Sequence, residues 1–280
     1  MLVFYYCVSV APPIIRYPEC ILYFNAFILI SFLFDVVTYN TKIIKGFMIS
    51  VCMAAKNGAR FIGYQLDSIL PQLNDEDEII ISDDHSADNT FEIVKYYADS
   101  RIRFIENPKS GIVSNFENSL RSSKGEIIFL ADQDDVWMPD KIKQTLPYFH
   151  EYDLVVSDCK IVDDKLDSLH DSFFEFNSSG KGVIKNLLRN SYMGCCMAFK
   201  RSLLKKALPF PSRLIIHDQW LGLIGELYGN VVFPTEKLVL HRRHNKNAST
   251  TFYKSKYDVI SRFSYRLKLA LSLIETRYGN

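Results

Sequence analysis

From Met48 onward, short β-branched runs alternate with helix-like segments, and this rhythm constrains the fold more than any other feature of the chain. "MISVCMAA" (48–55) reads as a strand, and "KNGAR" as a turn that opens a helix through about Leu70. "DEIIISDD" (77–84) is the next strand, followed by a helix over "SADNTFEIVKYYAD" with Ser86 or Asp88 as its N-cap. "RIRFIE" (101–106) reads as a third strand. "VSNFENSLRSS" reads as a helix, which Gly125 closes with a left-handed residue. "EIIFLA" (126–131) is the fourth strand. Strands and helices at this spacing predict βαβ units and a mainly parallel central sheet with helices on both faces.

In open α/β sheets, ligands bind beyond the carboxyl ends of the strands, where the strand order reverses. Two acidic clusters fall at such ends: Asp83-Asp84, and Asp132-Asp134-Asp135 in "FLADQDDVWMPDK". Carboxylates crowded together repel, so a positive partner is expected among them: a metal ion, a basic side chain, or water around an exposed loop. One Asp pair alone would read as ordinary turn chemistry. Two clusters ending two strands of one sheet read as a site. GxGxxG, P-loop, HExxH and GxSxG patterns are absent. Paired acids without a phosphate-gripping glycine loop point to Mg²⁺ or Mn²⁺ managing phosphate charge.

At 280 residues the chain suits one large domain with appendages, and its net charge of +1 gives a nucleic-acid partner no electrostatic support. The six cysteines show no CxxC pairing or regular spacing, which argues against a zinc site or a disulfide framework and for reduced cytosolic thiols. Residues 1–47 differ from the rest. "CILYFNAFILISFLF" (20–34) runs fifteen residues without a charge, short of the ~20 that a spanning helix needs. It reads either as a weak membrane-associating segment or as sequence upstream of a start at Met48, and the complete βαβ pattern from Met48 favours the second.

Six stretches occur in a familiar order: "ISVCMAAKNGARFIGYQLDSILPQ", "IIISDDHSADNT", "GEIIFLADQDDVWMPDKI", "GCCMAFKRSLLKKALPFP", "HDQW" and "LVLHRRHNKN". Together they resemble glycosyltransferase family 2, closest to the rhamnosyltransferase-like members that build bacterial surface polysaccharides. The resemblance spans 48–247 and implies a GT-A fold, a nucleotide-diphospho-sugar-binding α/β sandwich, in a domain over 48–250. It implies that Ala54 and Lys56 line the nucleotide base and ribose, and that Asp84 accepts a hydrogen bond from the pyrimidine, with Asp83 beside it. Asp132-Gln133-Asp134 becomes the family's DxD, with Asp134 the direct metal ligand and Asp132 facing the ribose or the metal's water shell. Asp135 either joins them at the metal or is structural, orienting the loop. Asp218 of "HDQW" becomes the base of an inverting mechanism. His244 then helps bind metal or diphosphate, and Arg242 contacts phosphate or belongs to a solvated basic turn. Trp220 offers a face for a sugar ring or packs the core, with His217 a positioning or packing residue beside it rather than a base. The resemblance departs at His241, where members often carry Tyr. Cys195 and Cys196 read as small buried residues near the acceptor side.

The implied donor is dTDP-rhamnose or a UDP-hexose, and the implied acceptor is a saccharide, commonly lipid-linked. The tail, 251–280, is basic and aromatic at helical spacing. It suits either packing on its own domain or peripheral contact with the inner face of the cell membrane. Two other functions compete: a nucleotidyltransferase, for which "MAAKNGARF" is too poor in glycine and arginine, and a sugar-nucleotide-binding protein without turnover, against which Asp134 and Asp218 both speak.

Overall fold

The protein is described here from a computed structural model, which covers residues 46–212, 214–244 and 258–278. Residues 47–280 form one compact unit. The apolar segment at 20–34 and the end of the "HRRHNKN" stretch lie outside the described residues.

The first half follows the alternation: β1 (Ile49–Ala55), α1 (Ile62–Ile69), β2 (Glu78–Asp83), α2 (Thr90–Tyr96), β3 (Ile102–Glu106), α3 (Ile112–Ser122) and β4 (Ile127–Asp132). After it come β5 (Val136–Trp137), α4 (Lys141–Thr145), β6 (Leu154–Val156), β7 (Asp158–Val162), β8 (Ser168–His170), α5 (Phe173–Asn177) and α6 (Val183–Leu188). The remainder is β9 (Met197–Lys200), α7 (Arg201–Ala207), α8 (His217–Tyr228), β10 (Val231–Val232), β11 (Lys237–Arg242) and α9 (Val259–Tyr278).

Seven strands form the main sheet in the order β10-β6-β9-β4-β1-β2-β3, and β5-β11-β7-β8 form a second sheet. The main sheet is mostly parallel. Only β9, lying between β4 and β6, pairs antiparallel on both sides. Every residue of β1 and β2 is buried, as expected of strands covered on both faces. Strand order reverses around β1, which pairs with β2 on one side and β4 on the other. The register sets Ala55 beside Asp83 and Ala54 beside Asp132. Both acidic clusters therefore open onto one crevice at the reversal point.

Two local expectations change. The helix after β2 begins at Thr90 rather than near Ser86, because Asp88 is drawn into the preceding turn. Its carboxylate accepts the Thr90 amide at 3.1 Å and the Ala59 amide at 3.1 Å. Gly125 is not left-handed; it is needed for space. A Cβ there would lie 2.4 Å from the Ser50 nitrogen, where the chain presses against β1. The tail helix α9 packs on the domain through Leu269 and Leu273, both buried.

Candidate active site

One side of the crevice is built around Asp84, just past the end of β2. It is buried, and its carboxylate accepts Lys56 Nζ at 2.8 Å, the Gly111 amide at 3.1 Å and Asn107 Nδ2 at 3.4 Å. Burial alone would raise its pKa, but Lys56 and the Gly111 amide outweigh that and hold it below the ordinary carboxylate range. Asp83 points instead into its own turn, accepting the Ser86 amide at 2.8 Å and the Ser86 hydroxyl. It supports Asp84 by fixing the loop.

The DxD turn follows β4, and each of its residues has a different task. The Asp132 carbonyl accepts Gln65 Nε2 at 2.8 Å, which sets the end of the strand. Gln133 reads the Lys56 peptide from both sides: its oxygen accepts the Lys56 amide at 2.9 Å and its nitrogen donates to the Lys56 carbonyl at 2.9 Å. Gly58 makes room for this clamp, since a Cβ there would meet Gln133 Oε1 at 2.2 Å. Asp134 Oδ2 lies 2.8 Å from His244 Nε2, and His244 stacks on Phe61 with ring centroids 4.9 Å apart. Asp135 is fully buried. It accepts the Arg242 amide at 2.9 Å and pairs with His241 Nδ1 at 3.0 Å. Burial disfavours the His241 proton, but the Asp135 carboxylate outweighs it and pushes the imidazole up to about 9. The protonated imidazole and the carboxylate tie the end of β11 to the DxD turn.

Arg242 does not point at a phosphate site. It is buried, donating from Nε to the Asp134 carbonyl at 2.8 Å and from Nη1 to the Asp164 carbonyl at 2.6 Å. Its guanidinium lies 4.7 Å above the Phe61 ring. The phosphate role expected of it gives way to a scaffold role, because the guanidinium is buried and two of its donors are held by backbone carbonyls.

A further carboxylate is set by α8. Asp218 stands in its first turn, where Oδ1 accepts the Gln219 amide at 2.6 Å and Asn190 Nδ2 at 3.3 Å, and Oδ2 accepts the Gly194 amide at 3.2 Å. Burial dominates these donors and pushes the carboxyl up to about 6. Asp132 and Asp218 are close enough that the charge of Asp218 helps raise the Asp132 pKa. Burial drives that rise first, followed by the Asp135 and Asp134 carboxylates, with His241 opposing.

Trp220 is a core residue rather than a sugar platform. It is 1% exposed, and its indole N–H donates to the Ala207 carbonyl at 2.9 Å. His217 is likewise packed, stacked on Phe116 at 4.0 Å and held neutral by burial, which lowers it to about 3. Glu226, a second acid on α8, accepts the Gly182 amide at 2.7 Å and the Tyr192 hydroxyl at 2.8 Å, both on one carboxylate oxygen. Ala54 is buried in β1 beside Asp132 and contributes through its backbone position. The described cysteines are free and buried, and Cys195 Sγ lies 3.7 Å from His241 Nδ1 behind the DxD turn.

Two groupings fit a cation. Ligand atoms of Asp132, Asp135, Cys195 and His241 lie within 4.8 Å of one another, with Asp135 and His241 also paired to each other. Asp134 and His244 instead present a carboxylate and an imidazole to each other, with Asp132 raised by its acidic neighbours and relieved by added positive charge. That donor set fits Mn²⁺, which accepts both imidazole and carboxylate, better than Mg²⁺, which prefers oxygen alone.

An α/β sandwich whose acids gather at the strand-order reversal defines a nucleotide-diphospho-sugar transferase fold. Residues 50–208 match Glycosyl transferase family 2, and the chain belongs to that family. It is 25% identical over 211 residues to an uncharacterized glycosyltransferase, alr2836, of Nostoc sp., covering 71% of this chain and 66% of the relative. It is 23% identical over 185 residues to the UDP-Glc:alpha-D-GlcNAc-diphosphoundecaprenol beta-1,3-glucosyltransferase WfgD of Escherichia coli, covering 64% of this chain and 70% of that protein. The chain thus spans about two thirds of the length of these relatives. Among solved structures, S. aureus TarS in complex with UDP-GlcNAc superposes with a TM-score of 0.64 at 18% identity, over 80% of this chain and 66% of that one. Glucosyl-3-phosphoglycerate synthase of Mycobacterium tuberculosis with Mn²⁺ and UDP superposes at 0.55 and 17% identity, over 84% of this chain and 81% of that one. Both confirm the GT-A-like fold.

Proposed function

We propose that this protein transfers a hexose from a UDP-sugar to a lipid-linked saccharide, with inversion at the anomeric carbon, in surface-polysaccharide assembly. The observation that carries this reading is the pairing of environments around one crevice: Asp84 kept ionised by Lys56, and Asp218 poised near neutrality at about 6. Carboxylates whose surroundings push them apart are the mark of divided labour. Lys56 and Asp84 hold the nucleoside. Asp134 and His244, with Asp132, hold Mn²⁺ or Mg²⁺, which when bound supplies Lewis-acid charge to the leaving diphosphate.

Asp218 performs the proton transfer. Its carboxylate takes the proton of the acceptor hydroxyl as that oxygen bonds the anomeric carbon. The bond from carbon to phosphate oxygen breaks, and the nucleoside diphosphate leaves with the electron pair. A pKa of about 6 leaves Asp218 mostly ionised at pH 7 yet basic enough to accept. The choice of UDP-hexose over dTDP-rhamnose is supported by WfgD, whose name specifies UDP-Glc, and by TarS bound to UDP-GlcNAc. The WfgD acceptor, a diphosphoundecaprenol-linked sugar, supports the lipid-linked acceptor.

The test is a donor screen with purified protein, reading nucleoside diphosphate release with and without Mn²⁺. Mn²⁺-dependent release from a UDP-hexose supports the reading. Release from dTDP-rhamnose alone moves the donor to the rhamnosyl class, and no release from any nucleotide sugar in the presence of lipid-linked acceptors overturns it.

A further inference from the structure

On α9, Ile260, Phe263, Leu267, Leu271 and Ile274 are all exposed, from 49% to 78%, and Tyr278 continues their spacing. At about 100° per residue these positions fall on one face. Leu269 and Leu273, which pack on the domain, fall about 200° or more around the helix from Leu267. The helix is therefore apolar on two sides, one spent on its own domain and the other turned to solvent. Large exposed apolar patches mark interaction surfaces.

The spacing says what kind of surface. A left-handed supercoiled partner helix demands a seven-residue repeat, which from Ile260, Phe263 and Leu267 would continue through 270 and 277. Those positions are Ala270 and Arg277. The stripe runs through Leu271 and Tyr278 instead, keeping the 3.6-residue period of a straight helix, which suits a flat face. Charge says which flat face. The helix carries four basic residues, Arg262, Arg266, Lys268 and Arg277, against one acid, Glu275, and both Arg262 and Lys268 are exposed. That excess of positive charge suits an anionic surface.

The patch continues beyond the helix. α9 packs against α6 and α8, and the Arg266 guanidinium donates to the Leu188 carbonyl at the end of α6. Ile184 and Leu188, one turn apart on α6, are 77% and 58% exposed. On its other side α9 reaches the acceptor end of the crevice, where part-buried Tyr265 is close enough to feel the charge of Asp218.

We propose that α9, extended by Ile184 and Leu188, is an interfacial helix that lays this protein on an anionic lipid surface with Asp218 turned toward lipid-borne acceptors. Among the described residues no helix is long and apolar enough to cross a membrane, so α9 lies in the interface plane. The lipid-linked acceptor reading gives this docking its purpose, but lipid binding itself is measured without any sugar, so either can fail alone.

The experiment is vesicle flotation of the full chain against phosphatidylcholine vesicles, with and without about 30% phosphatidylglycerol. We expect binding to the anionic vesicles, weakening with salt, and at least ~10-fold weaker binding to the neutral ones. The triple variant Phe263→Glu, Leu267→Glu, Leu271→Glu changes exposed positions only. It should keep the wild-type melting temperature and UDP binding while losing anionic vesicle binding at least ~10-fold. The milder Arg262→Gln, Lys268→Gln pair should lose the anionic preference but not all apolar binding, which keeps the test open should the triple variant fold poorly. Unchanged flotation of these variants overturns the proposal. A dimer in light scattering that the triple variant converts to monomer, with no vesicle binding by the wild type, also overturns it and assigns the face to self-association.

Discussion

Asp84 and Asp218 serve the same crevice, yet their surroundings push them in opposite directions. Asp84 meets a lysine ammonium and a backbone amide, which outweigh its burial and keep it charged. Asp218 meets only neutral donors at the start of α8, and there burial wins and carries it to about 6. The lesson is that hydrogen-bond count does not decide the protonation state. Each carboxylate accepts three such bonds, but only one has a full positive charge beside it. A binding carboxylate should be charged at every working pH, while a base should be within reach of its proton.

The largest expected effect falls on the poised carboxylate. Asp218→Asn retains an acceptor for the Gln219 amide but cannot take a proton, so sugar transfer should fall ~10²–10⁴-fold. Donor affinity, measured by calorimetry, should stay within about two-fold of wild type, since Asp218 is assigned no donor contact. Near wild-type transfer would move the base elsewhere, and collapsed donor binding would make Asp218 a binding residue.

Asp134→Ala tests the cation site that neither carboxylate environment supplies. Mn²⁺-dependent affinity for UDP should drop by ~10²-fold as a charged ligand and the partner of His244 are lost together. In EDTA the variant and wild type should bind UDP alike. Asp84→Asn should have the smaller effect, roughly ten-fold weaker nucleoside binding from one lost charge-assisted hydrogen bond. That loss should appear equally with Mn²⁺ and with EDTA. If both variants weaken equally in EDTA, the division between nucleoside and metal residues is wrong.

The strand-helix alternation through β4 was legible because each element there is local and its period shows in a short window. The acidic strand ends were legible for the same reason, since register follows once parallel pairing is assumed. What lay beyond reach was long-range. Asp135 meets His241 and the Arg242 amide across more than a hundred residues, and nothing local to "HRRH" distinguishes a buried strut from a solvated basic turn. Arg242 reads as a phosphate ligand or a solvated basic residue, and burial makes it neither; Trp220 reads as a sugar platform or core, since a tryptophan beside an acid looks the same in sequence either way, and burial decides for the core. The Gln133 clamp left one usable signal: a glycine, Gly58, in the loop that the side chain must cross. Lys141 left none. It is fully buried, donating to the Cys195 carbonyl at 2.8 Å and lying 4.7 Å over Trp137.

The contrast between the two carboxylates is tested most directly by the pH dependence of transfer and of donor binding in the same buffers, from pH 5 to 8 with Mn²⁺ saturating. Because burial raises the Asp218 pKa, its base form is full above about 6 and lost below it. Transfer should therefore fall about ten-fold per pH unit on the acid side, with its midpoint near 6. Because the Asp84 pKa is lowered, nucleotide-sugar binding should stay flat over the whole range. In Asp218→Asn the acid limb should disappear from the residual rate. A wild-type transfer rate that is flat to pH 5, or an acid limb that persists unchanged in Asp218→Asn, would contradict the account.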